Sequence, residues 1–311
     1  MTNKYPKDFF GHPQGLTLSE INITREDIID AIKTISQNSY GGPDEFPAIL
    51  LKRCSKSLAH PLQLLYKASL KTLEIQIYLK WGIITPIYKD GSQNLPKNYR
   101  PVALASHLIK VLEKKLAKNI HQFLETHQKM NPKQHGFRSG TSCLSQLLEH
   151  HNKILEELEK SNNVDVNYLD FSKVFDKVDH GILPNKLKKI GINDKIGEWI
   201  HNVLSNRQQC VAVNETTSSD VLVRSGVPQG SVWGPLLFLI HISDINYEIA
   251  DSKVSCCAND SRILLGIHDE EGTQMLQNEQ IWMGCTKGQI QIIWSSIPTS
   301  SNFCDMEKNR K

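Results

Sequence analysis

An α+β fold is what this sequence predicts, and three observations carry it. A β-prone run, Val164 to Leu169, delivers a carboxylate at its end, Asp170. From Ser106 to about His127, Leu108, Leu112, Leu116, Ile120 and Phe123 recur every three or four residues, the period of a helix with one buried face. Lys253 to Cys257 and Arg262 to Ile267 are two short β runs around Ala258-Asn259-Asp260-Ser261, which reads as a hairpin tip. Helical and strand segments come in runs rather than in strict alternation.

The remaining elements follow from local chemistry. Residues 1 to about 20 show no period and read as a loose leader. Thr24 and Asp27 form a capping pair for a helix to Ile35, with Ile28, Ile29, Ile32 and Ile35 on one face. Gly41-Gly42-Pro43-Asp44 ends that stretch. A second helix spans about Pro47 to Lys71, with Leu50, Leu51, Leu58, Leu62, Leu65 and Leu70 available for burial. Gly82 to Tyr88 is a β run closed by the turn Lys89-Asp90-Gly91. Thr141 or Ser142 caps a helix in which Leu144, Leu147, Leu148, Ile154, Leu155 and Leu158 read as core. Leu183 to Leu204 is helical with a break at Gly191. Gln208 to Val213 alternates like a strand and can pair with Val221 to Arg224, and Gly234 to Ile249 is apolar and helical.

Composition narrows the class. The 311 residues are 39% hydrophobic and 22% charged, enough for a sizeable core, and the net charge of +3 is only mildly basic. Between Lys97 and Arg138 nine Lys or Arg face two acids, Glu113 and Glu125, a local excess able to track a phosphate backbone. The seven cysteines are scattered without zinc-site spacing, which points to reduced thiols in the nucleus or cytoplasm. No apolar run reaches the roughly 20 residues of a membrane span, and no secretory signal opens the chain.

Three segments carry the chemistry. Tyr168-Leu169-Asp170-Phe171 leads into Ser172-Lys173-Val174-Phe175-Asp176, Ser225-Gly226-Val227-Pro228-Gln229-Gly230-Ser231 follows, and Cys257-Ala258-Asn259-Asp260 comes last. They resemble motifs A, B and C of the reverse transcriptase domain of non-LTR (LINE-type, jockey-like) retrotransposons. Thr85-Pro86-Ile87-Tyr88-Lys89, Asn98-Tyr99-Arg100-Pro101-Val102 and Gln134-His135-Gly136-Phe137-Arg138 are similar to earlier blocks of that family, in the family's order.

The resemblance implies a polymerase palm-and-fingers fold, reverse-transcriptase-like, with a thumb missing or vestigial. It divides the chain into a leader (1–23), a fingers-like region (24–160), a palm with motifs A, B and C (161–268) and a divergent tail (269–311). It implies an RNA-directed DNA polymerase acting on an RNA template, a DNA primer and dNTPs with two Mg²⁺ ions. Asp170 and Asp260 become the metal ligands, Lys89 and Arg100 the triphosphate holders, and Phe175 the residue that excludes a ribose 2′-hydroxyl. Gln229 and Gly230 pack on the incoming nucleotide, while Gln134, Gly136, Phe137 and Arg138 contact template.

Motif C departs from the family, which carries two adjacent aspartates where this chain has Asn259 and Asp260. An asparagine carbonyl can touch a cation but brings no charge, so Asn259 is a degraded ligand position and activity is expected to be impaired or lost. Cys257 replaces an aromatic, and Trp233 replaces a leucine with a larger ring expected to crowd the helix behind it. Two other readings stay open: a catalytically silent module that binds RNA or RNA–DNA hybrid, and an unselected retroelement remnant. Oligomeric state is left open.

Overall fold

The computed structural model describes residues 16–160, 163–171, 174–243, 253–258, 260–267 and 290–297. It is a mixed α/β protein that divides into two units, Met1–Lys129 with Phe175–Ile242 and Met130–Val174 with Ser243–Lys311.

The first unit opens with α1 (Arg25–Lys33), whose N-cap Thr24 and Asp27 form the expected capping box. α2 (Ala48–Arg53) and α3 (Ser55–Thr72) follow, then β1 (Trp81–Tyr88), β2 (Tyr99–Ala105) and α4 (His107–Thr126). The second unit contributes α5 (Cys143–Glu159) and β3 (Asn163–Phe171). The chain then returns to the first unit with α6 (Leu183–Lys189), α7 (Asp194–Leu204), β4 (Arg207–Val213), β5 (Thr216–Thr217), β6 (Val221–Val223) and α8 (Gly234–His241). β7 (Lys253–Cys257), β8 (Asp260–Ile267) and β9 (Ile290–Ile297) complete the second unit.

In the first unit the sheet runs β2-β1-β4-β5, with β6 paired to β4. β1 and β2 are antiparallel, whereas β1 and β4 are parallel, Trp81 standing opposite Gln208. The largest buried side chains here are Trp199, Trp233, Tyr66 and Phe238. Trp233 does not crowd its helix: it meets Trp199 edge to face, ring centroids 5.5 Å apart, a favoured aromatic geometry.

The second unit is an antiparallel sheet in the order β7-β8-β3-β9. α5 lies on one face, where Ile154 packs with Val164, Val166 and Leu264. β9 falls within the segment expected to be a divergent tail and lines up against the whole of β3 from Val164 to Phe171.

Several expectations need correction. The helix from 47 to 71 is two helices that meet at Cys54. Of its leucines only Leu51 and Leu62 are buried, and Leu50 and Leu65 are exposed. α5 is capped by Ser142, and Ile154 and Leu158 of its apolar row pack on the core, both as expected, but Leu144 is 64% exposed, and Leu147, Leu148 and Leu155 are also exposed. The face turned to the sheet is Gln146, His150, Ile154 and Glu157. Periodicity finds a helix but not which side packs, and here the packed face carries polar groups, the Gln146 amide reaching the Ser255 carbonyl and hydroxyl at 3.4 Å. The expected helix from Gly234 to Ile249 is shorter: it ends at His241 with Ile242 as its C-cap, and residues 244–250 lie outside the described set. Among the described residues, no helix is long and apolar enough to cross a membrane.

Candidate active site

The paired acidic positions belong to the second unit. β3 and β8 are antiparallel with Asp170 directly opposite Asp260, the last pair of that ladder. Residues opposed in this way share one face of a sheet with Cβ atoms about 5 Å apart. Asp260 is exposed, and Asp170 is described through its backbone alone. β7 turns into β8 through residues 258 and 259, because Cys257 already pairs with Asp260. Asn259, the expected degraded ligand, lies outside the described residues. Ala258 has φ of 56°, the left-handed region that two-residue hairpin connections demand. Cys257 is buried, and burial together with the hydrogen bond its thiol donates to Cys143 pushes that thiol up to about 12. It is therefore a packed thiol, not a reactive one.

The block at 134–138 sits against this hairpin. Gln134 and Cys256 form a parallel bridge, with Cys256 N–H donating to the Lys133 carbonyl (2.8 Å) and His135 N–H to the Cys256 carbonyl (2.7 Å). Gln134 is only 5% exposed. Its Oε1 accepts from the Gly136 and Ala258 amides, each at 2.8 Å, and its Nε2 donates to the Ala258 carbonyl at 3.3 Å. A Cβ on Gly136 would stand 2.2 Å from the Ala258 nitrogen, so glycine is what lets the two backbones meet. His135 is buried between Ser145 and Glu149 of α5, both at 2.8 Å. Phe137 is 48% exposed on a left-handed backbone of φ 57°, and Arg138 donates to the Asn131 carbonyl at 2.7 Å.

The first unit gathers the residues that the resemblance links to the nucleotide. Lys89 and Arg100 are exposed at the β1–β2 hairpin end, where Lys89 N–H bonds the Asn98 carbonyl and Arg100 stands opposite Ile87. Alternation puts both side chains on one face of the ribbon. Lys89 has a loose ion pair with Asp90 at 3.8 Å, exposed and therefore weak. The motif B turn is tied to two neighbours. Ala103 N–H donates to the Gln229 carbonyl at 2.7 Å, Gly226 N–H to Val178 at 2.8 Å and Val227 N–H to Phe175 at 2.7 Å. Gly226 has φ of 87°, and a Cβ there would come within 2.7 Å of the Asp176 Cα and the Phe175 carbonyl. The Gln229 amide reaches Asp176 at 3.5 Å. Phe175 rests on Phe238, centroids 5.2 Å apart. A cavity of about 260 Å³ opens here, lined by Ala103, Asp176, Arg207, Arg224, Gly226 and Gln229. Gly230 approaches Ala103 from the same turn, its would-be Cβ 3.2 Å from the Ala103 carbonyl oxygen.

Two residues that sequence reasoning passed over support that turn. Glu113, only 4% exposed, accepts from the Val232 amide at 3.0 Å. Burial pushes its carboxyl up to about 7, against the pull of that hydrogen bond, Arg207 and Lys110. Arg207 is buried in turn and lines the cavity. An acid amid the lysines of a basic helix reads as a solvated ion-pair partner. What could have marked it is its place within the apolar row Val111, Leu112 and Leu116.

The basic stretch from 97 to 138 is not one open track. Lys115 pairs with Asp27 at 2.8 Å and Lys114 donates to the Thr34 hydroxyl, while burial lowers the pKa of Lys110 and Lys114. Lys97, Arg100, Lys118 and Lys133 remain exposed.

A model of the reverse transcriptase (RNA-dependent DNA polymerase) family matches residues 87–279, more than half of the chain. Similar proteins include the "Probable RNA-directed DNA polymerase from transposon BS" of Drosophila melanogaster, 29% identical over 251 residues, 79% of this chain and 28% of that protein. The "RNA-directed DNA polymerase from mobile element jockey" of Drosophila funebris is 33% identical over 163 residues, 52% of this chain and 18% of that protein. The "Retrovirus-related Pol polyprotein from type-1 retrotransposable element R2" of Popillia japonica is 33% identical over 157 residues, 50% of this chain and 21% of that protein. The chain belongs to the reverse transcriptase family, and its domain is homologous to those of non-LTR retrotransposons. It spans about a quarter or less of the length of these relatives.

Proposed function

We propose that this chain supplies the palm and fingers of a non-LTR reverse transcriptase in which nucleotidyl transfer is impaired or lost at motif C. The observation that carries the reading is the cross-strand pairing of Asp170 with Asp260 at the end of the β3–β8 ladder. Like charges placed directly opposite each other in a sheet are destabilising unless something neutralises them. Two hard oxygen donors side by side suit Mg²⁺, so the residues present fit the metal. When bound, two such ions activate the primer 3′-hydroxyl and neutralise charge building on the α-phosphate.

The protein's own groups have distinct tasks in this reading. Asp170 and Asp260 hold metal, and Asn259 offers a carbonyl without charge. Lys89 and Arg100 grip triphosphate oxygens, for which an ammonium and a guanidinium are apt. Gln229 and Gly230 pack on the incoming dNTP, and Phe175 excludes a 2′-hydroxyl. Phe137 offers an exposed ring for a template base, and Arg138 lies beside it. The substrates are an RNA template, a DNA primer and dNTPs.

The loss at position 259 can be sized. A unit charge 4 Å from another is worth about 4 kcal/mol at an effective dielectric near 20. Felt fully in the transition state, that is about a thousandfold in rate. Primer extension on a poly-ribonucleotide template by wild type and Asn259→Asp, side by side with Mg²⁺, tests the reading. Weak extension that rises strongly in Asn259→Asp supports it, and silence from both removes it.

A second reading, a silent binder of RNA or RNA–DNA hybrid, is favoured by the exposed Phe137 ring and the four exposed basic residues. It expects salt-sensitive binding of hybrid duplex without metal, and no binding at low salt would dismiss it.

A further inference from the structure

We propose that Gln134 is a positioning residue for the catalytic turn, fixing the Ala258 backbone and through it the placement of positions 259 and 260. The inference rests on the polymerase reading above, and it moves Gln134 from template contact to support of motif C.

The accounting of its amide is the argument. A glutamine has two acceptor sites on Oε1 and two N–H donors on Nε2. Oε1 takes the Gly136 and Ala258 N–H groups, and Nε2 serves the Ala258 carbonyl. Both polar groups of the Ala258 peptide backbone thus end on one side chain, as they would on a neighbouring strand. With 5% of the residue exposed, little is left to face nucleic acid. Ala258 needs such a hold, since an alanine at φ 56° costs about 1–2 kcal/mol relative to a right-handed conformation. Flanking backbone bonds to Cys256 lock residues 133–135 against β7, and His135 anchors the same segment to α5 through Ser145 and Glu149. The clamp is therefore rigid on one side and acts on a strained turn on the other.

The test is amide hydrogen exchange on the full chain in wild type, Gln134→Ala and Gln134→Glu. The glutamate variant keeps acceptor oxygens for the two amides but replaces the Nε2 donor with a charged acceptor facing the Ala258 carbonyl. The Ala258 and Gly136 amides should exchange at least about tenfold faster in Gln134→Ala and stay protected in Gln134→Glu, while Val164 and Val166 in β3 keep their wild-type rates. A tenfold change corresponds to about 1.4 kcal/mol of local opening. Unchanged exchange at Ala258 in Gln134→Ala overturns the proposal. So does an equal acceleration at Val164 and Val166, which would mark general destabilisation. If Gln134→Ala does not fold, loss of Ala258 protection in Gln134→Glu overturns it and retention supports it. In the Asn259→Asp background, Gln134→Ala should lower kcat for primer extension with KM for dNTP unchanged. Silence of Asn259→Asp itself would sink the polymerase reading and leave the exchange result standing.

Discussion

Alanine at three glycines separates backbone strain from steric overlap around the two motif turns. At Gly140 φ is 77° and nothing lies within 4 Å of a Cβ, so alanine meets only the left-handed penalty, about 1–2 kcal/mol. Gly136 lies outside the left-handed set, but its Cβ would stand 2.2 Å from the Ala258 nitrogen and 2.9 Å from its Cα. Both atoms are backbone, so the overlap cannot be relieved by a rotamer, and overpacking of this kind costs about 1–3 kcal/mol. Gly226 combines φ of 87° with 2.7 Å approaches to Asp176 and Phe175, which brings the expected loss to about 2–5 kcal/mol. Urea titration gives the midpoints, followed by amide exchange in each unit, because tryptophans occur in both, Trp81, Trp199 and Trp233 in the first and Trp282 and Trp294 in the second. The midpoint should fall most for Gly226→Ala and least for Gly140→Ala, at unchanged m. A Gly226→Ala protein as stable as Gly140→Ala would refute the tight seating of motif B against residues 175–178, and with it the nucleotide-side cavity.

Three further outcomes are expected. Glu113 has its carboxyl raised to about 7, so the folded state holds a proton that the unfolded chain releases near 4.5; stability should fall as pH rises from 5 to 7, by roughly 3 kcal/mol, and Glu113→Gln should abolish that slope in pH-dependent melting. His150 runs the other way: burial, Arg262, Lys153 and His151 hold its imidazole down to about 4, so stability should be lost as pH falls from 6.5 toward 4, by about 1–2 kcal/mol after screening, and His150→Gln should flatten this limb of the same curve. Lys89→Ala and Arg100→Ala remove exposed groups, so melting should move by less than about 0.5 kcal/mol, while KM for dNTP in the Asn259→Asp background rises about tenfold for each.

Local patterns were readable where a few neighbouring residues decide the outcome. The Thr24–Asp27 box, the helix beginning at Ser106, the Ser142 cap and the β7–β8 hairpin all belong to that class. Motif order and spacing led to the Asp170 and Asp260 pair, which the ladder sets side by side. What escaped is non-local. The parallel pairing of β1 with β4 joins residues more than a hundred positions apart, and no period in either strand announces it. β9 lies in the segment read only as a divergent tail, and its pairing with β3 is again a long-range contact. On α5 the leucine row outweighed a polar row whose partners lie on β7. The burial of Gln134 and its hydrogen bonds to Ala258 were out of reach for a related reason. A polar side chain inside a motif looks like a ligand-binding group until its burial and hydrogen bonds are known.

The pairing that makes this sheet a candidate metal site also explains how motif C can change without loss of the fold. Carboxylates at directly opposed positions of a sheet repel by a few tenths of a kcal/mol to about 1 kcal/mol in the absence of a cation. A further aspartate at 259 adds negative charge to the same sheet end, and an asparagine removes it. Asparagine also tolerates the positive φ common in two-residue hairpin connections better than most residues. The substitution therefore runs downhill for folding and uphill for catalysis, the usual opposition between stability and a charged active site. On the proposals above, Gln134 and the backbone of Ala258, which carry no charge, set the shape of the turn, whereas phosphoryl chemistry draws on the charge at 259; motif C would then keep its geometry where its reactivity declines.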